Sequence, residues 1–269
     1  MPVIDLSSCG DILDAWPGAM DAVAWGEPLG QDWPQEEIEQ AASQWAGYGV
    51  AAMAAAAAAG GLLGGMPQLP ARAAAALSAV AAQSVEQGMW CARLHQWMLP
   101  GRACQAPPHT PSFDANALAC MAQLCMHKTL GAPMFTAVET VSTHAMAQQV
   151  AGVLARSHAH HATLLWEVLE QAWARAPDRE RDACVGALGG ILSALERAHH
   201  GSAEALDVLA EQEVQLWADA PSLGHLLPLE YAAMFYHTLE QDIFPGLQRL
   251  GLDPYPLWAH RPPTPQEES

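Results

Sequence analysis

The chain has 269 residues, 51% of them apolar and 15% charged, with 11 Lys+Arg against 29 Asp+Glu and a formal net charge of −18. A chain this long can bury about three quarters of its unfolded surface, so an ordered globular protein is expected and disorder is excluded for most of it. The acidic excess repels phosphate backbones and anionic headgroups, which argues against nucleic-acid binding and against membrane attachment through basic residues.

Met1 to Gly10 contains no basic residue, and Asp5, Asp11 and Asp14 interrupt any apolar run, so no secretory signal is expected. The six cysteines (Cys9, Cys91, Cys104, Cys120, Cys125, Cys184) are scattered and include no Cys-x-x-Cys pair. They read as buried thiols of a cytoplasmic protein, not as a disulfide framework or a zinc ribbon.

Taken in chain order, the periodicity is helical nearly throughout. Residues 1–33, acidic and rich in Trp, Pro and Gly, form an irregular lead-in. Trp33-Pro34 followed by Glu36 and Glu37 starts a helix, with acids in the first turn to meet the dipole, and this helix should run to about Leu63. No charge occurs between Glu39 and Arg72, and Ala54 to Ala59 is an alanine run. Alanine contributes little to membrane insertion, and Gly60, Gly61, Gly64 and Gly65 break the pattern, so a closely packed helix is expected instead of a membrane span. A second helix covers about 69–98 and stops at Pro100. Residues 100–113 form a connection, with Ser112 or Asp114 as the cap of a third helix over about 114–142. A fourth starts near His144 and ends before Pro177. Helices over about 180–199, 203–218 and 228–250 follow, and the tail from Pro254 to Ser269 should be loose. The organisation is therefore a lead-in over 1–33, a helical body over 34–252 and a Pro-rich tail over 253–269, with an all-α bundle as the expected fold.

The inward faces carry the chemistry. On the second helix, Leu77, Val80, Ser84, Gln87, Cys91, Leu94 and Met98 share one face, so Ser84 and Gln87 interrupt the core side. On the fourth, Val150, Leu154, His158, His161, Leu165 and Val168 do the same, with His158 and His161 as the polar pair. The third presents Leu118, Met121, Cys125, Lys128 and Ala132. The first presents Ile38, Ala42, Trp45 or Ala46, Gly49 and Ala52, a face small enough to admit a neighbouring helix. Lys128 is the only lysine in the chain, and a buried lysine is costly unless its ammonium is paired or its pKa falls.

Polar inward positions at one per helix on the first and third, and at an i, i+3 pair on the second and fourth, are laid out as in the ferritin-like di-iron carboxylate proteins. Cys125-Met126-His127-Lys128-Thr129, then Thr143-His144-Ala145, then Ser157-His158-Ala159-His160-His161-Ala162 with Trp166 behind, resembles the bacterial ferritin-like domains met in secondary-metabolism settings. Those read Cys-Val-x-Glu-Thr, Thr-Asp-Pro and Asp-Glu-Ala-Arg-His-Ala followed by Trp, at the same spacing. Gly224-His225-Leu226 through Pro245 to Leu250 also resembles the closing helix of that group, and the likeness extends over about 35–250. The ligand positions depart from it. The first-helix Glu falls on Ala46 (or Trp45), the second-helix Glu-x-x-His pair on Ser84 and Gln87, the third-helix Glu on Lys128 and the fourth-helix Glu on His158. Only His161 keeps its identity. Two hard cations need bridging carboxylates, so a conventional di-iron oxygenase or ferroxidase is disfavoured and no metal or other cofactor is assigned.

Three functions follow. The first is a metal-free derivative whose former di-iron cavity binds or transforms a small, largely apolar molecule. There Lys128, His158 and His161 are the catalytic candidates, and Ser84, Gln87, Cys125 and Trp166 line the site. An ammonium in the old cation position is the plain structural reading of Lys128, and a Schiff-base amine is the sharper one. The second is a metalloenzyme with altered ligands, using His158, His161 and His127 or Glu86. A copper(I) site from Cys120, Met121, Cys125, Met126 and His127 with Cys91 and Met89 is a variant of it, although such spacing is usual in cores. The third is a non-catalytic scaffold or partner-binding protein. Tyr231, Phe235, Tyr236 and His237, with Trp166 and Trp173, are candidates for an apolar cavity wall. The small-residue first helix and the ten tryptophans are compatible with a homodimer.

Overall fold

Two long helices begin at prolines, whose fixed φ suits a helix entrance and whose missing N–H is not needed there. α1 (Gln35–Gly65) follows Pro34 and places Glu36 and Glu37 in its first turn; α2 (Ala71–Met98) follows Pro70. The computed structural model describes residues 23, 25, 28–30, 33–66, 69–102, 112–211 and 221–262, and these contain helices and no strand. The expectations for 1–22 and for most of the 100–113 connection lie outside the described residues.

α3 (Ala117–Val141) is capped by Asn116, whose side chain accepts from the N–H groups of Leu118 and Ala119. This corrects the expected cap at Ser112 or Asp114. Asp114 acts one step earlier, accepting from the Asn116 N–H at 2.7 Å. α4 (Ala145–Arg175) is capped by the His144 imidazole, and α5 (Asp178–Ala198) follows Pro177. α6 is described over Ala203–Glu211, as expected from 203 onward, and the remainder of the predicted 203–218 lies outside the described residues.

The single helix predicted over 228–250 is three pieces: α7 (Pro228–Thr238), a π-helical turn (Leu239–Ile243) and α8 (Phe244–Arg249). The cause is Pro245, whose ring would strike the carbonyl four residues back in a regular α-helix; the wider π turn relieves that clash. The predicted loose tail is corrected over 254–262, the rest of it lying outside the described residues. α9 (Pro254–Ala259) is capped by the Asp253 side chain, and beyond it Arg261 grips the buried Glu196 through two hydrogen bonds of 2.7 and 2.8 Å.

Short connections make α1/α2 and α3/α4 antiparallel hairpins, and across the gap α1 packs on α3 and α2 on α4. The stripes predicted for α2 and α4 are buried throughout, from Leu77 to Met98 and from Val150 to Val168. Gly49 and Gly88 mark the crossing of α1 and α2: a Cβ on Gly49 would lie 3.3 Å from the Gly88 carbonyl oxygen, so the backbones nearly touch. Ala42, Ala46, Ala52, Ala55 and Ala59 are buried there for the same reason. By length and composition alone α1 could cross a membrane, and here it packs along α2 as one arm of the first hairpin.

Residues 221–227 dock on α1. Gln44 donates to the Leu226 carbonyl and accepts from its N–H, Trp45 donates to the Leu223 carbonyl, and Glu37 accepts from the Leu223 N–H. Gly224 has φ +91, a backbone that side chains rarely adopt, and a Cβ there would collide with Ser142 and Val138.

Candidate functional site

The interior between the hairpins carries a cluster of buried polar side chains around Lys128. Lys128 leaves α3 and reaches to α2, its long stem sealed at 0% exposure. Its Nζ donates to Ser84 Oγ at 2.9 Å and to Gln87 Oε1 at 3.2 Å. The other end of the Gln87 amide donates to Ser157 Oγ on α4 at 2.7 Å. Beside this chain His161 Nε2 meets Gln83 Oε1. The Gln83 carbonyl oxygen can only accept, so Nε2 carries the ring proton and Nδ1 presents a bare lone pair.

Neither hydrogen-bonding partner of the Lys128 ammonium is a carboxylate. Burial therefore brings its pKa down from 10.5 to about 7, opposed by the nearby Cys91 thiol. A neutral amine can keep both hydrogen bonds as a donor and still hold a free lone pair, which is the nucleophilic form. Burial, and after it the Lys128 charge, holds both His158 and His161 well below the usual imidazole range. His127 is held down to about 3, again by burial first and Lys128 second. The three rings are thus neutral near pH 7.

Nδ1 of His158 and Nδ1 of His161 are buried without a hydrogen-bond partner of good geometry. Unsatisfied buried polar atoms are uncommon, because each costs roughly 1–3 kcal/mol. The His158 ring lies directly on Gly131 of α3: a Cβ at that position would fall inside the imidazole. Phe135 and His127 flank the ring, with centroids at 5.0 and 6.3 Å.

Of the residues named from sequence, Ser84, Gln87, Lys128, His158 and His161 come together as expected, and Cys125 sits buried one turn from Lys128. Trp166 is a correction. It faces away from this cluster, donating to Thr129 Oγ1 at 3.0 Å and covering Gly246, where a Cβ would come within 2.6 Å of its ring. The aromatic cavity wall is corrected as well. Tyr231 meets the Tyr48 hydroxyl, Phe235 stacks on His199, Tyr236 bonds Glu196, and His237 is exposed. Met89 is 64% exposed, far from the buried Cys125 and Met126, so the copper set does not assemble. Two members were missed. Gln83 was hidden by its seat on the flank of the α2 stripe. Ser157 was legible, because 150, 154, 157 and 161 keep the 3–4 spacing, but the neighbouring histidines drew the assignment.

Among the described residues no three His, Cys, Asp or Glu side chains converge as a metal ion would require. A di-iron group does not fit the cluster, whose seven side chains include no carboxylate, and no chemistry is routed through one here. A shallow hollow of about 530 Å³, lined by Glu167, Glu170, Gln171, Ala174 and Arg175 near the end of α4, is open to solvent and away from Lys128. No family model matches the chain, and no curated protein or solved structure matches it either.

Proposed function

We propose that this protein is a metal-free member of the ferritin-like type, and that the polar level around Lys128 binds or transforms a small, largely apolar molecule. The observation that carries the reading is the composition of that level: a sealed lysine with neutral partners, beside two buried imidazoles, His161 without a hydrogen-bond partner at Nδ1 and His158 with only the Lys128 backbone for one. Ligand sites are built in this way, with a few converging polar groups in an apolar surround. Support for the ferritin-like architecture comes from the pairing of α1 with α2 and α3 with α4, together with the packing of α1 on α3 and α2 on α4. Lys128 spans the interior from the third-helix position at which that type carries a ligand.

The test is a panel of small apolar alcohols, aldehydes and aromatics, followed by chemical-shift changes of the histidine rings in the full chain. At least one class is expected to perturb His158 and His161, and to lose its effect in Lys128→Met and His161→Ala. A panel without effect, together with variants that change stability alone, overturns the reading in favour of a scaffold. Two equivalents of iron retained after Fe(II) loading and desalting overturn its metal-free part.

The complete enclosure of Lys128 favours one second reading, a non-catalytic scaffold in which the lysine ties α3 to α2. That role needs the hydrogen bonds to Ser84 and Gln87 but leaves the buried Nδ1 of His161 unexplained.

A further inference from the structure

Four features of the Lys128 level point to one kind of ligand. Nζ donates to Ser84 and Gln87 and faces no carboxylate, so its lone pair has no competing acid to neutralise it. The Ser84 hydroxyl, 2.9 Å from Nζ, accepts from the amine and keeps its own proton to give. Gly131 lies less than one turn beyond Lys128 on α3 and leaves a bay that only the His158 ring fills. That bay is bounded by Phe135 and His127, and the His158 ring in it feels the Lys128 charge, so a ligand that displaced this one side chain would lie in an aromatic slot on the Lys128 turn of α3.

We propose that Nζ of Lys128 condenses with a small apolar aldehyde or ketone to form an imine, its apolar group resting on Phe135 in the Gly131 bay and Ser84 relaying the proton. The inference rests on the reading of this level as a ligand site. The Nζ lone pair attacks the carbonyl carbon and the C=O π pair moves to oxygen. Ser84 takes a proton from nitrogen as it passes its own to that oxygen, giving the carbinolamine. The nitrogen lone pair then forms C=N while the hydroxyl leaves with a second proton from nitrogen as water. One carbonyl and one amine give one imine and one water, and nothing is oxidised or reduced. Amines that form imines in proteins are kept neutral by desolvation, which is the setting of Lys128.

A single lysine makes the test decisive. The full chain is treated with benzaldehyde and cyanoborohydride at pH 7, and the benzyl adduct is located by peptide mass spectrometry. Lys128 should be labelled at least about tenfold faster than a free lysine side chain in the same solution, since desolvation raises its amine fraction. Ser84→Ala, checked for helicity, should slow the labelling by about tenfold, below the roughly 10²–10⁴-fold of a fully positioned general acid–base group. Labelling that matches the free amine, or is absent while benzyl alcohol still shifts the His158 and His161 resonances, overturns the imine and leaves the ligand site standing. Neither labelling nor any shift with benzyl alcohol overturns both. Equal rates in Ser84→Ala and wild type overturn the relay.

Discussion

Lys128 is sealed with neutral partners, and the cost of its charge follows the proton. Its folded pKa is lowered to about 7, so between 7 and the ordinary 10.5 the unfolded chain holds the proton more firmly and stability rises with pH. Below 7 both states are charged and the penalty of burial is fully present. Thermal melts should therefore show the wild type gaining on Lys128→Met by on the order of 2 kcal/mol between about pH 7 and pH 9. A constant difference across that range would mean an amine of ordinary basicity. Gly131 gives a second test. Gly→Ala in a helix interior normally stabilises by about 1 kcal/mol, but here the Cβ enters the His158 ring, an overpacking worth about 1–3 kcal/mol in the other direction. Gly131→Ala should lower the urea midpoint, and Gly131→Ala with His158→Ala should recover it. No recovery would show that the imidazole is not what fills the bay.

At the scale of elements, helix existence was legible and the ends were not, for identifiable reasons. The stripes on α2 and α4 repeat at 3–4 spacing over several turns, and every residue read from them is buried. The start of α3 was misplaced because Ser112, Asp114 and Asn116 are all good caps, and the choice is made by a bond invisible in sequence: Gln123 accepts from the Asp114 N–H and donates to the Ser112 carbonyl, folding both residues back before the helix begins. Asn116→Ala should cost about 1 kcal/mol in denaturant melts, as loss of an N-cap does, while Ser112→Ala should cost nothing measurable. α9 was missed because Pro254, Pro256 and Pro262 read as a chain without structure. Its order comes from tertiary contacts, with Trp258 against Phe235 and Tyr236 and the Arg261 guanidinium 3.4 Å over Trp258. The candidate site was legible because one lysine and two histidines on apolar faces are chemically conspicuous. Trp166 was misassigned because sequence places a residue on a face without showing what the face meets, and α8 arrives there from 80 residues away, by way of a π turn that only Pro245 hints at.

At the scale of the whole molecule, two ion pairs fasten distant segments. Glu196 on α5, with its side chain 2% exposed, is held by Arg261 and by the Tyr236 hydroxyl. Arg261→Ala leaves that carboxylate buried without its cation, so a loss of about 3 kcal/mol is expected in urea melts. Glu196→Gln with Arg261→Ala should be less unstable than Arg261→Ala alone, and the reverse order would contradict the pairing. His225 in the segment before α7 sits 2.7 Å from Glu37 on α1. Burial raises Glu37, but the His225 hydrogen bond, the Leu223 N–H and the His225 charge outweigh it, so its pKa lies below 4.5. The Glu37 hydrogen bond raises His225 above 6.5, against burial. The contribution of Glu37 is complete above 4.5 and is lost as pH falls; that of His225 is complete below 6.5 and is lost as pH rises. The pair should therefore stabilise most between 4.5 and 6.5. His225→Gln should lower Tm there and converge on wild type as pH rises above that window. A Tm gap that widens with pH would contradict this.

Burial should leave the Lys128 amine close to half neutral at physiological pH, and the chain offers one lysine signal with which to read it. Lysine labelled with ¹³C at Cε and ¹⁵N at Nζ, incorporated into the full protein, gives a single resonance to follow by NMR from pH 5 upward. The account predicts a titration midpoint of about 7, shifted further by any ligand that enters the site. A midpoint at the ordinary value of 10.5 in the folded protein would contradict it, leaving Lys128 as an ammonium strut between α3 and α2.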